Sequence, residues 1–392
     1  MEPIRIGVIG IGDISDVYLN NLKKYDVVKV VACASRGLEK ARRKAAQHGI
    51  PKAYASGDEV IADPEVDLIL NLTTPQAHFQ YNLAALQAGK HVYTEKPLAA
   101  TFDEGRQLAG LAREKGLLLG CAPDTFLGGR LQNLRELIDN GTLGRITGGG
   151  AYFVGHGHEF HHPGPAFFYQ PGAGPLYDMG PYYMTALLSL LGPVQRVCAM
   201  ATKAGETRVV PSGPCEGQVL PVDVETHICA TLEFACGAVV TLTCSFDVWD
   251  SELPRLELYG TKGTALIDEK DPISGPNLFG GDLLLRTPEH YRWRDHDRAP
   301  EVVGEPWAVV ANAHPFNSVS HEENPRGIGL VDMVYAMRNG RAPRASGDMA
   351  LHSLEVMECI LRSASEHIFC EPSTSFERPA PLPLDFPRSE ED

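Results

Sequence analysis

The sequence predicts an α/β chain: an N-terminal doubly wound parallel sheet, followed by an α+β domain built on a large, mostly antiparallel open sheet. Three observations predict it. A β-branched apolar run, Ile4 to Ile9, leads straight into closely spaced glycines and then a helix start at Val17-Tyr18-Leu19. Apolar strands and polar or Ala-rich helices then alternate as far as Cys121, as parallel strands with crossover helices do. From Val194 to Leu285, strand-like stretches follow one another with only Gly- or Pro-containing turns between them, a pattern that requires antiparallel pairing.

The bulk numbers bound the function. A chain of 392 residues exceeds one ordinary core, and hydrophobic and charged contents of 43% and 22% are those of a globular protein. A formal net charge of −15 excludes nucleic acid and anionic membranes as partners, since both require a basic surface. With no run long enough to span a bilayer and no basic leader before Ile4, the expected location is the cytoplasm. Nine cysteines, odd in number and without C-x-x-C spacing, read as reduced, buried thiols, with Cys229 and Cys244 inside apolar runs.

In chain order, the first turn reads Gly10-Ile11-Gly12-Asp13-Ile14-Ser15. Gly10 permits a sharp bend and Gly12 lets the backbone approach a pyrophosphate, which would rest on the N–H groups of the helix starting at Asp13 and Ile14. Ser15 stands where a third glycine is usual; either it holds helix and strand slightly apart or its hydroxyl reaches a phosphate. A helix near Asp16 to Lys24 and a strand from Val27 to Ala34 follow, ending at Ser35-Arg36. No acid is present there to hold a ribose 2′-hydroxyl, so a hydroxyl and a fixed cation favour a 2′-phosphate, and NADP over NAD; otherwise Arg36 stacks on adenine or faces water.

The helix Leu38 to His48, a strand near Lys52 to Ala55, and the buried strand Val66 to Leu72 come next. The last ends at Thr73-Thr74-Pro75 with His78 beyond, at the carboxyl edge where such sheets bind ligands. A helix from Phe79 to Ala88 and a strand His91 to Thr94 run into Glu95-Lys96-Pro97. The expected division is 1–123 for the dinucleotide-binding Rossmann domain, 124–370 for a substrate-binding and oligomerisation domain, and 371–392 for a weakly ordered, proline-rich acidic tail. Asp124 either faces the cleft or starts a helix. The second part holds helices near Gly129 to Asn140 and Met184 to Leu191, and late helices Ile328 to Asn339 and Met349 to Glu366. Between the first two lies a loop with His156, His158, His161 and His162, whose spacing matches no zinc site, so no metal is expected.

Gly10-Ile11-Gly12, then Glu95-Lys96-Pro97, then Asp178-Met179-Gly180-Pro181-Tyr182 stand in the order found in the glucose–fructose oxidoreductase and inositol dehydrogenase family, Gfo/Idh/MocA, which the chain resembles over nearly its whole length. Thr74-Pro75 with His78 and Gly260-Thr261-Lys262-Gly263 add to the likeness. Ser15 departs from it, and Tyr182 stands where a catalytic histidine is frequent.

The resemblance implies hydride transfer between NAD or NADP and a hydroxyl-bearing carbon of a sugar, glycoside or cyclitol, in a homodimer or homotetramer joined through the open sheet. It also implies roles. Tyr182 is the acid/base with Lys96 lowering its pKa, Asp178 accepts bonds from substrate hydroxyls, and Glu95 orients the nicotinamide end. Asp124, His158 and His162 are further substrate contacts. Without the resemblance, Tyr182 reads as an amphipathic core residue and Asp178 as a helix cap. Two rival functions remain: a redox-neutral glycosidase that retains its NAD, and a cofactor-binding regulatory protein without turnover.

Overall fold

The structure is a computed structural model that describes residues 2–268, 278–292, 301–302, 307–317 and 324–388. Part of the expected strand-rich run, 269–277, and the end of the tail, 389–392, lie outside the described residues.

Strands β1 (Ile4–Ile9), β2 (Val28–Ala34), β3 (Lys52–Tyr54), β4 (Leu68–Asn71), β5 (His91–Thr94) and β6 (Leu119–Cys121) form one parallel sheet in the order β3-β2-β1-β4-β5-β6. The chain reverses direction across the sheet between β1 and β4, which opens a ligand crevice at their carboxyl ends. Helices α1 (Ile14–Leu22), α2 (Leu38–His48), α3 (Gly57–Ala62), α4 (Pro75–Gln87) and α5 (Phe102–Glu114) cover both faces. Because the sheet is covered twice, β4 is buried along its whole length, which is why it reads as a continuous apolar run. Capping boxes at Ser56/Glu59 and Thr101/Glu104 start α3 and α5.

The second part begins with α6 (Gly129–Asp139), β7 (Ile146–Val154), α7 (Gly174–Asp178) and α8 (Gly180–Leu191). Then come β8 (Val194–Thr202), β9 (Thr207–Val209), β10 (Val219–Pro221), β11 (His227–Phe234), β12 (Val239–Ser245), β13 (Leu256–Gly260), β14 (Gly263–Ile267) and β15 (Leu283–Arg286). A ribbon of β16 (Tyr291–Arg292) and β17 (Glu301–Val302), β18 (Ala308–Val310), α9 (Ile328–Asn339) and α10 (Gly347–Glu366) complete it. Eight strands form a sheet in the order β18-β15-β14-β13-β7-β12-β11-β8, antiparallel except for the parallel pair β7 and β12. One face lies under α8, all twelve of whose residues are buried, and under α10. The other face is open.

Four expectations need correction. Helix α4 starts at Pro75 rather than Phe79, because Thr74 in extended backbone followed by Pro at the first position is already a helix start. Helix α8 starts at Gly180, not Met184, which moves Tyr182 into its first turn. The tail is docked rather than weakly ordered: Arg135 donates to the Pro379 carbonyl, Arg344 to those of Ala380 and Pro381, and Leu382 and Phe386 are buried. Apolar side chains and shielded backbone carbonyls outweigh the composition. Finally, Cys198, Cys229 and Cys236 are exposed, Cys198 and Cys229 because their strands turn alternate residues to the open face.

Candidate functional site

The crevice floor is the first turn. Gly10 sits at φ +91, and a Cβ there would lie 2.6 Å from the Leu72 carbonyl oxygen, so this bend against β4 demands glycine. A Cβ on Gly12 would meet nothing within 4 Å; the space above it is clear. Asp13 precedes α1 without bonding its backbone, which leaves the helix N-terminus for an anion. The Ser15 hydroxyl is not turned to a phosphate: it is fully buried and donates to the Gly12 carbonyl at 2.6 Å, within the turn. Ser35 and the exposed Arg36 follow β2, and Arg36 has no ion-pair partner among the described residues. These features fit a dinucleotide.

On the other side of the crevice, the Thr73 hydroxyl donates to Asn71 Oδ1 at 2.7 Å, and Thr74 and Pro75 open α4. His78 departs from the expected cofactor contact. It is wholly buried, with Nδ1 2.7 Å from the Pro97 carbonyl and Nε2 3.0 Å from that of Thr73. Burial lowers its pKa and outweighs the two carbonyls, which favour the charged ring, and the side chain ties the end of β4 to the stretch after Lys96.

Past β5 the charged groups converge. Glu95 Oε1 accepts from the Tyr18 hydroxyl at 2.8 Å and Oε2 from the Lys96 backbone N–H at 3.0 Å, which fastens α1 to the end of β5. Lys96 Nζ donates to both the carbonyl (2.6 Å) and Oδ1 (3.0 Å) of Asp178, at the C-terminus of α7. His158 Nε2 lies 2.8 Å from Asp178 Oδ2, so it carries the proton and donates. Burial alone would raise the Asp178 carboxyl, but Lys96 and His158 hold it well below the usual carboxylate range. Burial likewise works against the Lys96 ammonium, and Asp178, Tyr182 and Glu95 outweigh it, so that pKa is raised. Both groups stay charged.

Tyr182 faces this pair, its ring centroid 5.4 Å from Lys96 Nζ and its hydroxyl accepting from Arg326 Nη2 at 3.2 Å. The expected lowering of its pKa does not occur. Burial of the phenol pushes it up and outweighs Arg326 and Lys96, so in the free protein Tyr182 is neutral. Asp124 is also corrected: buried at 1% exposure, its Oδ2 accepts from the N–H groups of Gly327 (2.8 Å) and Gly329 (2.9 Å), where it caps α9 instead of lining a cleft. His162 does not reach Asp178. Its Nδ1 accepts from Gly164 N–H at 3.1 Å and its ring stands edge-on to Phe167 and Phe168. His158 instead stacks on Phe168 at 4.1 Å, and His156 stacks on Trp249 at 3.4 Å. His161 stays beside His158, its Nε2 3.2 Å from His158 Nδ1, while His156 and His162 pack elsewhere, and no metal-holding cluster of three ligands occurs among the described residues.

Two components escaped the sequence reading. Arg326 is one. The other is Arg208 on β9, which donates to Glu159 (2.6 Å), to Asp247 and to the Phe246 carbonyl, while Tyr169 donates to the other Glu159 oxygen. This buried network pins the loop that carries His158. No local pattern marks either arginine, since each meets its partners only through long-range packing.

A glycine turn at the switch point of a parallel sheet, with Lys96 at the end of that sheet's β5 meeting Asp178 and Tyr182 from α7 and α8, defines a nucleotide-dependent α/β oxidoreductase. The chain belongs to the Gfo/Idh/MocA oxidoreductases: residues 4–122 match the model for the oxidoreductase family with NAD-binding Rossmann fold, and residues 131–266 that for the GFO/IDH/MocA C-terminal domain. It is 29% identical to mouse trans-1,2-dihydrobenzene-1,2-diol dehydrogenase over 74% of this chain and 87% of that protein. It is 28% identical to the scyllo-inositol 2-dehydrogenase (NADP(+)) of Bacillus subtilis over 93% and 95%. The structure of levoglucosan dehydrogenase in complex with NADH and L-sorbose shares the fold, with a TM-score of 0.78 at 19% identity, covering 95% of this chain and all of that one.

Proposed function

We propose that this oxidoreductase is an NADP- or NAD-dependent dehydrogenase that acts on a secondary CH–OH of a sugar, glycoside or cyclitol, with NADP preferred. The observation that carries the reading is the union of Lys96, from the parallel sheet, with Asp178, from the second part of the chain, beside the Tyr182 phenol. The substrates named by the relatives, inositols and a dihydrodiol, support a vicinal hydroxyl as the target.

Gly12, the start of α1 at Asp13 and Ile14, and Thr73 to Pro75 hold the dinucleotide, and Ser35 and Arg36 meet its 2′-phosphate. The bound nicotinamide supplies the hydride acceptor or donor. Lys96 has spent two of its three N–H donors on Asp178; the third is left for the substrate oxygen. Asp178, held charged, accepts a neighbouring hydroxyl, and His158 fixes its orientation. Tyr182 exchanges the proton of the reacting hydroxyl. The open face of the eight-stranded sheet joins subunits into a homo-oligomer.

Purified protein assayed for NAD and NADP reduction across monosaccharides, cyclitols and glycosides tests the reading. Tyr182→Phe is expected to lower kcat about 10²- to 10³-fold. Absence of nicotinamide cofactor binding, or an unchanged kcat in Tyr182→Phe, would sink it.

A further inference from the structure

We propose that Arg326 sets the direction of proton transfer at Tyr182, by holding the phenol oxygen as an acceptor so that the phenol's own proton faces the substrate oxygen. This rests on the dehydrogenase reading above. Arg326 is 4% exposed, and its one side-chain hydrogen bond among the described residues is from Nη2 to the Tyr182 hydroxyl, at 3.2 Å. No carboxylate forms an ion pair with it among the described residues; the ring of Phe279 lies 5.5 Å from the guanidinium carbon. A guanidinium buried to that degree normally has an acid as partner. Here a phenol takes the direct bond, while the Glu95 and Asp124 carboxylates favour the guanidinium from further off.

The backbone that carries Arg326 is clamped on both sides. Asn21 Nδ2 on α1 donates to the Arg326 carbonyl at 2.9 Å, Asn324 Oδ1 accepts from the Arg326 N–H at 3.1 Å, and Asp124 accepts from the next N–H, that of Gly327. The side chain is thus presented to Tyr182 by both sheets' neighbourhoods and does not need to reorganise when charge develops.

The chemistry follows from donor counting. A guanidinium has five N–H donors and no acceptor, so at this contact the phenol oxygen can only accept. The Tyr182 O–H is left without an acceptor among the described residues, in a side chain otherwise buried. In carbonyl reduction, the Tyr182 O–H bond breaks as an O–H bond forms on the substrate oxygen, the electron pair staying on the phenol oxygen against the Arg326 cation. The hydride comes from the reduced nicotinamide, and oxidation runs both transfers in reverse. Lys96 is poorly placed for this task, because its ammonium is turned to Asp178. The charged groups facing Tyr182 are Arg326 before α9, Lys96 and Glu95 after β5, and Asp178 at the end of α7; the first two favour phenolate and the others oppose it.

The test has two arms. In the cofactor-free protein, ultraviolet difference titration of tyrosinate against Tyr182→Phe isolates the Tyr182 transition, and Arg326→Met or Arg326→Gln should move it upward by about one pH unit or more. In turnover, the same variants should shift the ascending limb of the oxidation pH profile in the same direction and lower kcat about 10²-fold, with little change in KM. Arg326→Gln keeps a shorter, uncharged polar side chain and stands in where Arg326→Met fails to fold. A folded variant with the parent's tyrosinate titration and pH profile overturns the proposal, as does a loss confined to KM. Failure of the dehydrogenase reading would appear separately, as absence of turnover in the parent while the titration arm still reports on Arg326.

Discussion

Gly10 and Arg36 mark the two ends of what single residues decide here. At Gly10, a side chain meets the Leu72 carbonyl and a positive φ together, so Gly10→Ala should cost at least about 2 kcal/mol in urea unfolding and abolish cofactor binding. At Arg36 the stability cost should be nil, because the side chain is exposed and unpaired among the described residues. A charged hydrogen bond to phosphate is worth about 1.5–3 kcal/mol, so Arg36→Ala should raise the KM for NADP roughly 10- to 100-fold and leave that for NAD unchanged. Equal changes for both cofactors would mean that Arg36 meets the shared adenosine half. The position of Ser35 and Arg36 at the end of β2 was legible in the sequence because they directly follow an apolar run. Asp124 was legible only as an acid near a cleft, since its partners Gly327 and Gly329 are two hundred residues away in the chain.

Helix α10 shows how an element carries pH sensitivity. His352 on it accepts the Val194 N–H at Nε2 (3.0 Å) and lies 3.0 Å from Thr374 Oγ1 through Nδ1, so it must be neutral to serve the strand that starts there. Burial lowers its pKa from 6.5 to about 4. Below the ordinary value the unfolded chain takes up a proton that the folded chain refuses. Stability should therefore fall as pH drops from about 6.5 to about 4, by about 3 kcal/mol in all, and His352→Gln should flatten that slope in denaturant titrations. The segment after α10 behaves as a strap. Ser373 and Thr374 bond Glu355, and Leu382 donates to Gln132 from a buried position. Deleting residues 371–392 removes two buried apolar side chains, Leu382 and Phe386, and should cost about 3–6 kcal/mol by unfolding midpoint.

At the scale of the whole molecule, the face of the eight-stranded sheet turned away from α8 and α10 carries exposed apolar side chains among the described residues. Cys198, Met200, Cys229, Thr231, Val239, Thr241, Tyr259 and Val309 share it, Met200 at 75% and Val309 at 62% exposure. Apolar side chains that exposed, beside the Arg196–Glu233 ion pair, are what contact with a second copy of the chain would cover. Light scattering should therefore report a homo-oligomer, and the pair Met200→Glu and Val239→Glu should shift it to a smaller species while the monomer stays folded. A parent that elutes as a monomer would refute the interface. No helix among the described residues is long and apolar enough to cross a membrane.

By itself the sequence determined the local elements and their class. A β-branched run before glycines and alternation at period two or 3.6 are properties of neighbouring residues, so the parallel sheet, the open sheet and the Gly10 turn could be read from it, whereas Lys96, Asp178 and Tyr182 stood out only through the resemblance to a known family. Tertiary structure alone decided which charges meet. It turned Lys96 to Asp178, gave Tyr182 the Arg326 guanidinium, buried His78 and Asp124 in structural roles, and docked a tail whose composition looked loose. The physical reason is that a buried ionisable group takes its state from whatever packs within a few ångströms of it, and those neighbours lie tens to hundreds of residues away along the chain.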